Sequence, residues 1–245
     1  MPKFFVGKNC ISDSKVILTG ADINHIIKVL RMNTGSILSV SDGDGTDYTV
    51  KIVEVCKDKI IAEILDKQIE KNSGLKITLY QSVPKTDKME TIIQKCTELG
   101  IYKIVPFISE HTVVNIKDKD LSDKKLERWR KIAKEACKQC RRSTIPIIDS
   151  VCDFQKVLDD IELYDLNIFS YEKADLSLKH LFNDASNVKN ASIIVGPEGG
   201  FAEIEAQRII NKGVKPISLG KRILRTETAG MAVLCIIMYE LGDMG

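Results

Sequence analysis

The chain has 245 residues, 44% of them apolar and 29% charged, and a formal net charge of +2 at pH 7. That length fits one large domain, or a large and a small one, with enough apolar residues for a sizeable core. No run approaches the roughly 20 apolar residues of a membrane span, and Met1 to Val6 lacks the long apolar core of a secretory signal, so a soluble, cytoplasmic protein is expected. The seven cysteines (Cys10, Cys56, Cys96, Cys137, Cys140, Cys152, Cys235) are odd in number and scattered, as expected of reduced thiols. Cys137 and Cys140 form a lone C-x-x-C with no second pair and no histidine nearby, so no metal is expected.

Phe4 to Val6 reads as a short strand. Asp22 to Leu30 places Ile23, Ile26, Ile27 and Leu30 on one helical face. Ser36 to Ser41, the turn Asp42-Gly43-Asp44-Gly45, Tyr48 to Val55 and Lys59 to Leu65 follow. Tyr48, Val50 and Ile52 alternate, and Asp-Gly steps are strong turn signals. Several short strands and one small helix predict a compact β-barrel-like domain. The polar Glu70 to Gly74 marks its end, dividing the chain into residues 1–72 and 73–245.

Beyond that point strands alternate with helices. Leu75 to Val83, Ile101 to Ile108, Ile145 to Ile148, Leu166 to Tyr171, Ala191 to Val195 and Val214 to Leu219 read as strands. Asp87 to Leu99, Asp153 to Ile161, Glu203 to Lys212 and Thr226 to Leu241 read as helices. This alternation predicts a mostly parallel sheet covered on both faces, an α/β architecture. Lys124 to Arg142 is one more helix, apolar at Leu126, Trp129, Ile132, Ala133 and Ala136. It carries nine basic residues against two acidic ones. Such a concentration of charge can neutralise phosphates, although a solvated helix face has the same composition.

The stretch Val195 to Ala229 holds the densest chemistry. Val-Gly-Pro-Glu-Gly-Gly-Phe opens it and Leu-Gly-Lys-Arg-Ile-Leu-Arg-Thr-Glu-Thr-Ala closes it. Each is a polar, glycine-bearing loop between an apolar strand and a helix, the position at which open α/β sheets bind ligands. Gly-x-Gly-x-x-Gly and a phosphate loop are both absent. Glu198 would repel a triphosphate and suits a ligand with a positive centre, such as the sulfonium of S-adenosylmethionine; it would equally cap the following helix. Lys221, Arg222 and Arg225 stand beside Glu227, where Arg225 and Glu227 either pair with each other or face a polyanion.

These two loops resemble those of the ribosomal small-subunit RNA (uracil-N3) methyltransferase family, of the knotted SPOUT class. Three further blocks carry the resemblance along nearly the whole chain: Val29-Leu30-Arg31 with Gly35, Lys85 to Glu90 with Gln94 to Gly100, and Arg128-Trp129 through Arg142 and Pro146. The resemblance implies a PUA-like RNA-binding barrel, then an α/β methyltransferase domain with a deep trefoil knot, an exception to unknotted connections. It also implies a homodimer, no metal, S-adenosylmethionine as cofactor and 16S RNA of the small ribosomal subunit as partner.

By position, the resemblance assigns the cofactor to Ser170, Tyr171, Gly196, Pro197, Glu198, Gly199, Gly200, Ser218, Leu219, Gly220, Ile223, Leu224, Thr226 and Ala229. RNA contacts are expected from Lys3, Arg31, Lys85, Arg128, Lys131, Lys138, Arg141, Arg142 and Arg222. Arg225, Arg142, Glu198 and Glu227 are the expected catalytic residues. Methylating N3 of uridine means losing its proton while charge spreads onto O2 and O4, so cationic donors are needed and one carboxylate is a candidate base. Three positions depart from the family pattern: Lys3 stands for an arginine, Arg141 for a glycine, and His111-Thr112 for Arg-Ser. A ribose 2′-O methyltransferase of the same class and a non-catalytic RNA-binding assembly factor are the alternative readings.

Overall fold

The structure, a computed structural model, describes residues 1–70, 74–85, 87–113, 119–182 and 187–244, except for the side chains of residues 119–122 and 180. Residues 71–73, within the expected domain boundary, and Thr86 lie outside the described residues. The chain forms two compact units, Met1–Lys71 with Lys134–Ile145, and Asn72–Ala133 with Pro146–Gly245.

In the first unit five strands, β1 (Lys3–Phe5), β2 (Lys15–Thr19), β3 (Ile37–Ser41), β4 (Thr46–Val55) and β5 (Lys59–Ile69), form one mixed sheet in the order β1-β3-β4-β5-β2. Only β1 and β3 pair in parallel. Between β2 and β3 lies a short helix, α1 (Ala21–Asn24), continued as one wide turn to Val29. The alternation expected at Tyr48, Val50 and Ile52 puts all three inside, against Phe4, Val16, Leu18, Ile26, Leu38, Val40, Ile60 and Ala62. Strand β2 escaped the sequence reading although Val16 and Leu18 alternate with exposed neighbours; five residues bounded by Ser14 and Gly20 give a weak periodic signal.

Lys134–Ile145 belongs with this sheet. The Ser41 hydroxyl donates to the Ser143 carbonyl at 2.9 Å, and the Thr144 hydroxyl to Glu70 at 2.9 Å. Lys3, expected at the RNA surface, is instead buried. Its ammonium donates to Asp47 at 2.7 Å, to the Arg141 carbonyl at 2.8 Å and to the Ser143 hydroxyl at 3.2 Å. A buried ammonium needs such partners, because desolvation disfavours its charge.

The second unit holds a sheet in which every pairing is parallel, formed by β6 (Lys76–Ser82), β7 (Lys103–Ile108), β8 (Ile147–Ile148), β9 (Cys152–Asp153), β10 (Leu166–Ser170), β11 (Asn190–Val195) and β12 (Pro216–Ile217). The order is β12-β10-β11-β6-β7-β8, with β9 also on β7. Helices α2 (Lys88–Glu98), α3 (Lys119–Cys140), α4 (Phe154–Asp160), α5 (Leu178–Phe182), α6 (Glu203–Asn211) and α7 (Thr226–Glu240) connect and cover it. Two apolar clusters lie in this unit, one including Ile92, Trp129, Val233 and Ile237, the other Phe154, Val157, Phe201 and Ile209. Being covered on both faces explains the near-continuous burial of β6 and β11. The strand expected over Val214 to Leu219 shrinks to two residues, because Pro216 lacks an amide hydrogen and Ser218 instead donates its own to Leu176.

Helix α3 ends at Cys140, and Arg141 takes φ 65°, the left-handed conformation that favours glycine. This accounts physically for the departure noted at that position. An L side chain there costs about 1 kcal/mol. Arg141→Gly is therefore expected to raise unfolding stability by at most about 0.6 kcal/mol, the relieved ~1 kcal/mol less about 0.4–1 kcal/mol for the freer unfolded chain. The readout is a higher urea midpoint with an unchanged denaturant slope.

Candidate active site

Along the parallel sheet, strand order reverses between β11 and β6. The chain runs from β6 to β7 and β8 on one side, then returns to place β10 and β11 on the other. A crevice at the carboxyl ends of the strands is expected at such a switch point. A cavity of about 680 Å³ lies there, lined by Ser170, Tyr171 and Glu172 after β10, by Val195–Phe201 after β11, by Ser218–Thr226 after β12, and by Lys88 and Ala229. The volume falls within the roughly 300–1,000 Å³ usual for small-molecule sites. All fourteen positions assigned to a cofactor by resemblance border this one cavity.

Two loops with distant sequence origins are tied together beneath it. The Thr226 hydroxyl donates to the Gly196 carbonyl at 2.6 Å and accepts from the buried Gln81 amide at 2.9 Å. The same amide donates to the Ser82 carbonyl at 3.0 Å. Helix α7 packs on β6 at Gly230, where a Cβ would make ordinary contact with Leu79 at 3.4 Å. The β11 loop is anchored at its far end by Phe201, which stacks on Phe107 and meets Phe169 edge-on at 5.1 Å. Because that ring folds back under the loop, a Cβ on Gly196 would lie 2.8 Å from it.

Charge is arranged around Lys88. Its ammonium lies 2.9 Å from Glu198 and 3.5 Å from Glu227, whose carboxylate is in turn 4.0 Å from Arg225. The Lys85 backbone amide also donates to Glu198. Burial pushes the Glu198 carboxyl up, but the hydrogen bonds from Lys88 and from backbone amides outweigh it and hold the group below its ordinary value. The Lys88 ammonium is correspondingly raised, chiefly by its hydrogen bond to Glu198. Arg225, by contrast, has a side chain 81% exposed at the cavity mouth.

A third loop braces the glycine turn. His111 Nδ1 lies 3.2 Å from the carbonyls of both Gly199 and Gly200, and since carbonyls only accept, that nitrogen carries the proton. Glu205 accepts from the amides of Glu110 and Ala202. Lys88, Gln81, Glu172 and His111 were not among the expected site residues. Lys88 carried only the signal of a cation opening a helix after an apolar strand, since its nearness to Glu198, 110 residues on, comes from the fold; Gln81 inside an apolar strand had none beyond being polar there.

The expected RNA contacts separate into two groups. Arg128 grips Glu90 with both edges of its guanidinium, at 2.7 and 2.8 Å, and Lys138 pairs with Asp22 and Glu135 while lying over the Phe4 ring. With the buried Lys3, these side chains hold the protein's own structure. Arg31, Lys85, Lys131, Arg141 and Arg222 are exposed, and Arg142 is half-buried in the first unit. The cysteines are free, and burial pushes the Cys137 thiol up to about 12, which disfavours the thiolate a metal would need. Among the described residues no helix is long and apolar enough to cross a membrane.

The fold and cavity define an α/β protein that takes a small ligand at the carboxyl ends of a parallel sheet. Residues 71–238 match the RNA methyltransferase domain family, and residues 18–65 the RNA methyltransferase PUA domain family. Ribosomal RNA small subunit methyltransferase E of Bacillus subtilis is 34% identical over 229 residues, covering 91% of this chain and 89% of that protein. The protein of the same name from Buchnera aphidicola (subsp. Acyrthosiphon pisum) is 34% identical over 99% of this chain and 95% of its own. Among solved structures, a ribosomal RNA small subunit methyltransferase E from Neisseria gonorrhoeae bound to S-adenosyl methionine superposes with a TM-score of 0.86 at 32% identity, over 100% of both chains. The chain belongs to the ribosomal RNA small subunit methyltransferase E family.

Two outcomes follow from this geometry. Gly196→Ala forces its new methyl into Phe201 and is expected to destabilise the protein by about 1–3 kcal/mol, measured by urea unfolding. Glu198 has a folded value below its ordinary 4.5, so its contribution to stability is fully present above about pH 4.5 and is lost as pH falls through the lower folded value. The stability gap between wild type and Glu198→Gln is accordingly expected to be constant near neutrality and to narrow below pH 4.5.

Proposed function

We propose that this protein transfers a methyl group from S-adenosylmethionine to N3 of a uridine in 16S RNA of the small ribosomal subunit. The observation that carries this reading is the single cavity that gathers both loops of the resemblance, in a chain whose relatives in Bacillus subtilis and Buchnera aphidicola are named ribosomal RNA small subunit methyltransferase E. The residues present suit the cofactor. Main chain of Gly196–Gly200 and Ser218–Gly220 offers donors and acceptors without bulk, Tyr171, Leu219, Leu224 and Ala229 offer apolar surface, and Glu172 and Glu198 offer negative charge near a cationic ligand. When bound, S-adenosylmethionine supplies an electrophilic methyl group on a sulfonium.

The chain's own residues do the rest. Arg225, exposed at the mouth, donates to O2 or O4 of the uracil as the N3 proton is lost, stabilising the charge that develops there. Glu198 and Glu227 are both engaged by Lys88 and hold the two loops; the N3 proton leaves to water. Since N3 lies on the pairing edge, the uridine must be unpaired or turned out of its stack. Arg31, Lys85, Lys131, Arg141, Arg142 and Arg222 supply phosphate contacts, with residues 1–72 as the RNA-binding domain and 73–245 as the methyltransferase domain. The trefoil knot and homodimer of the class belong to the same proposal. In support, α7 returns from the edge strand β12 to pack on α2, β6 and β11, and it leaves Ile236 and Tyr239 exposed. Free thiols and a ribosomal substrate favour the cytoplasm.

The test is transfer of labelled methyl from S-adenosylmethionine to small subunits from a strain lacking this modification, followed by mass spectrometry of the nucleosides. Label at uridine N3 is expected; label on a ribose 2′-oxygen would make the protein a ribose methyltransferase instead. Arg225→Ala is expected to cut turnover by about 100-fold while calorimetric affinity for the cofactor changes less than about twofold. Normal turnover in that variant would remove Arg225 from the mechanism.

A further inference from the structure

Ile223 is 90% exposed, the most exposed large apolar side chain of the described residues, ahead of Ile69 at 72%. It stands in the β12 loop at the rim of the cavity, between Lys221 and Arg222 on one side and Arg225 on the other. Lys221 and Arg222 are exposed and form no ion pair among the described residues, and Arg225 is 81% exposed. Exposing an isoleucine forgoes about 1.5–3 kcal/mol of burial. Three cations around one bare aliphatic side chain make a poor docking site for an apolar protein surface, because burying them unpaired carries a large desolvation cost. They suit a polyanion whose interior is apolar, which is what nucleic acid presents: phosphates outside and base faces within.

Resting on the methyl-transfer reading above, we infer that Ile223 is a wedge. It enters the base stack beside the target uridine and fills the gap left when that uridine turns out into the cavity, while Lys221 and Arg222 hold the flanking phosphates. Aliphatic side chains play this part in other nucleic-acid complexes, partly unstacking a base step at a cost of a few kcal/mol. The position is suited to it. Ile223 borders the cavity and yet is 90% exposed, so the loop that borders the ligand space also carries the wedge.

The experiment compares full-length wild type with Ile223→Ala and Ile223→Met. Three quantities are measured: calorimetric affinity for S-adenosylmethionine, sedimentation, and turnover on unmethylated small subunits. The resemblance assigns Ile223 to the cofactor, but with the residue 90% exposed little of its side chain is left to meet a ligand, so Ile223→Ala is expected to keep cofactor affinity within about twofold and an unchanged sedimentation coefficient. It should lose about tenfold or more in kcat with a smaller change in KM, because the unstacking cost is no longer offset. Ile223→Met, which keeps a long apolar side chain, should recover most of that loss. Wild-type kcat in Ile223→Ala, an equal loss in both variants, or a shift in sedimentation that places the side chain in an interface between copies would each overturn the wedge. Absence of methyl transfer by the wild type overturns the underlying reading and the wedge with it, an outcome distinct from the other three.

Discussion

The arrangement depends on one buried relay: the Gln81 amide donating to the Thr226 hydroxyl, and that hydroxyl donating to the Gly196 carbonyl. Both links are short, and the Gln81–Thr226 link is buried, where a hydrogen bond is stronger and an unmet one more costly. The relay joins a central strand, the first residue of the last helix and the first residue of the glycine turn. The strand lies more than a hundred residues before the two loops, which are themselves 30 residues apart, and the relay fixes both loop mouths in one place. Without it each loop would be an ordinary strand–helix connection, which is how either one reads alone in the sequence.

Around that relay the forces are divided by type. Apolar packing sets the floor, through Phe201 inserted among Phe107, Phe154 and Phe169. Charge sets the walls, through Lys88 between Glu198 and Glu227. These side chains are roughly a fifth to a third exposed, so screening by water keeps each pair modest. Their value is positional: one ammonium holds a carboxylate from each loop, so both mouths share a reference point. Backbone bonds from His111 and Lys85 add bracing from two further loops.

The parallel sheet and the two loops were legible because their signals are local: strand-length apolar runs, glycine and proline at turns, helical periodicity. Elements of few residues were not. Strand β2, the two-residue β9 and the five-residue α5 lie below the length at which periodicity separates from chance. From the residues alone the cavity was anticipated as two loops, and the resemblance added Ser170 and Tyr171 of a third; the adjacency itself comes from strand order, which a single sequence does not display. The basic residues were the least legible. A lysine facing phosphate and a lysine buried on Asp47 are the same letter, and only the fold distinguishes Lys3, Arg128 and Lys138, which hold the protein together, from Lys131 or Arg222, which face solvent.

That sorting bears on how the protein meets a polyanion. Whole-chain charge is only +2, so attraction must come from local concentration. Two of the nine cations between Lys124 and Arg142 are already paired, Arg128 with Glu90 and Lys138 with Asp22 and Glu135. Beside the cavity the β12 loop presents Lys221 and Arg222, exposed and without an ion pair among the described residues, and Arg225, exposed with Glu227 4.0 Å away. A loop that carries both the cavity's lining and its cations can orient a nucleotide by its phosphates and present the base to the interior in one movement. The same economy explains why the loop leaves Ile223 bare: a side chain tucked into the protein would stabilise the loop but contribute nothing at the face that RNA approaches.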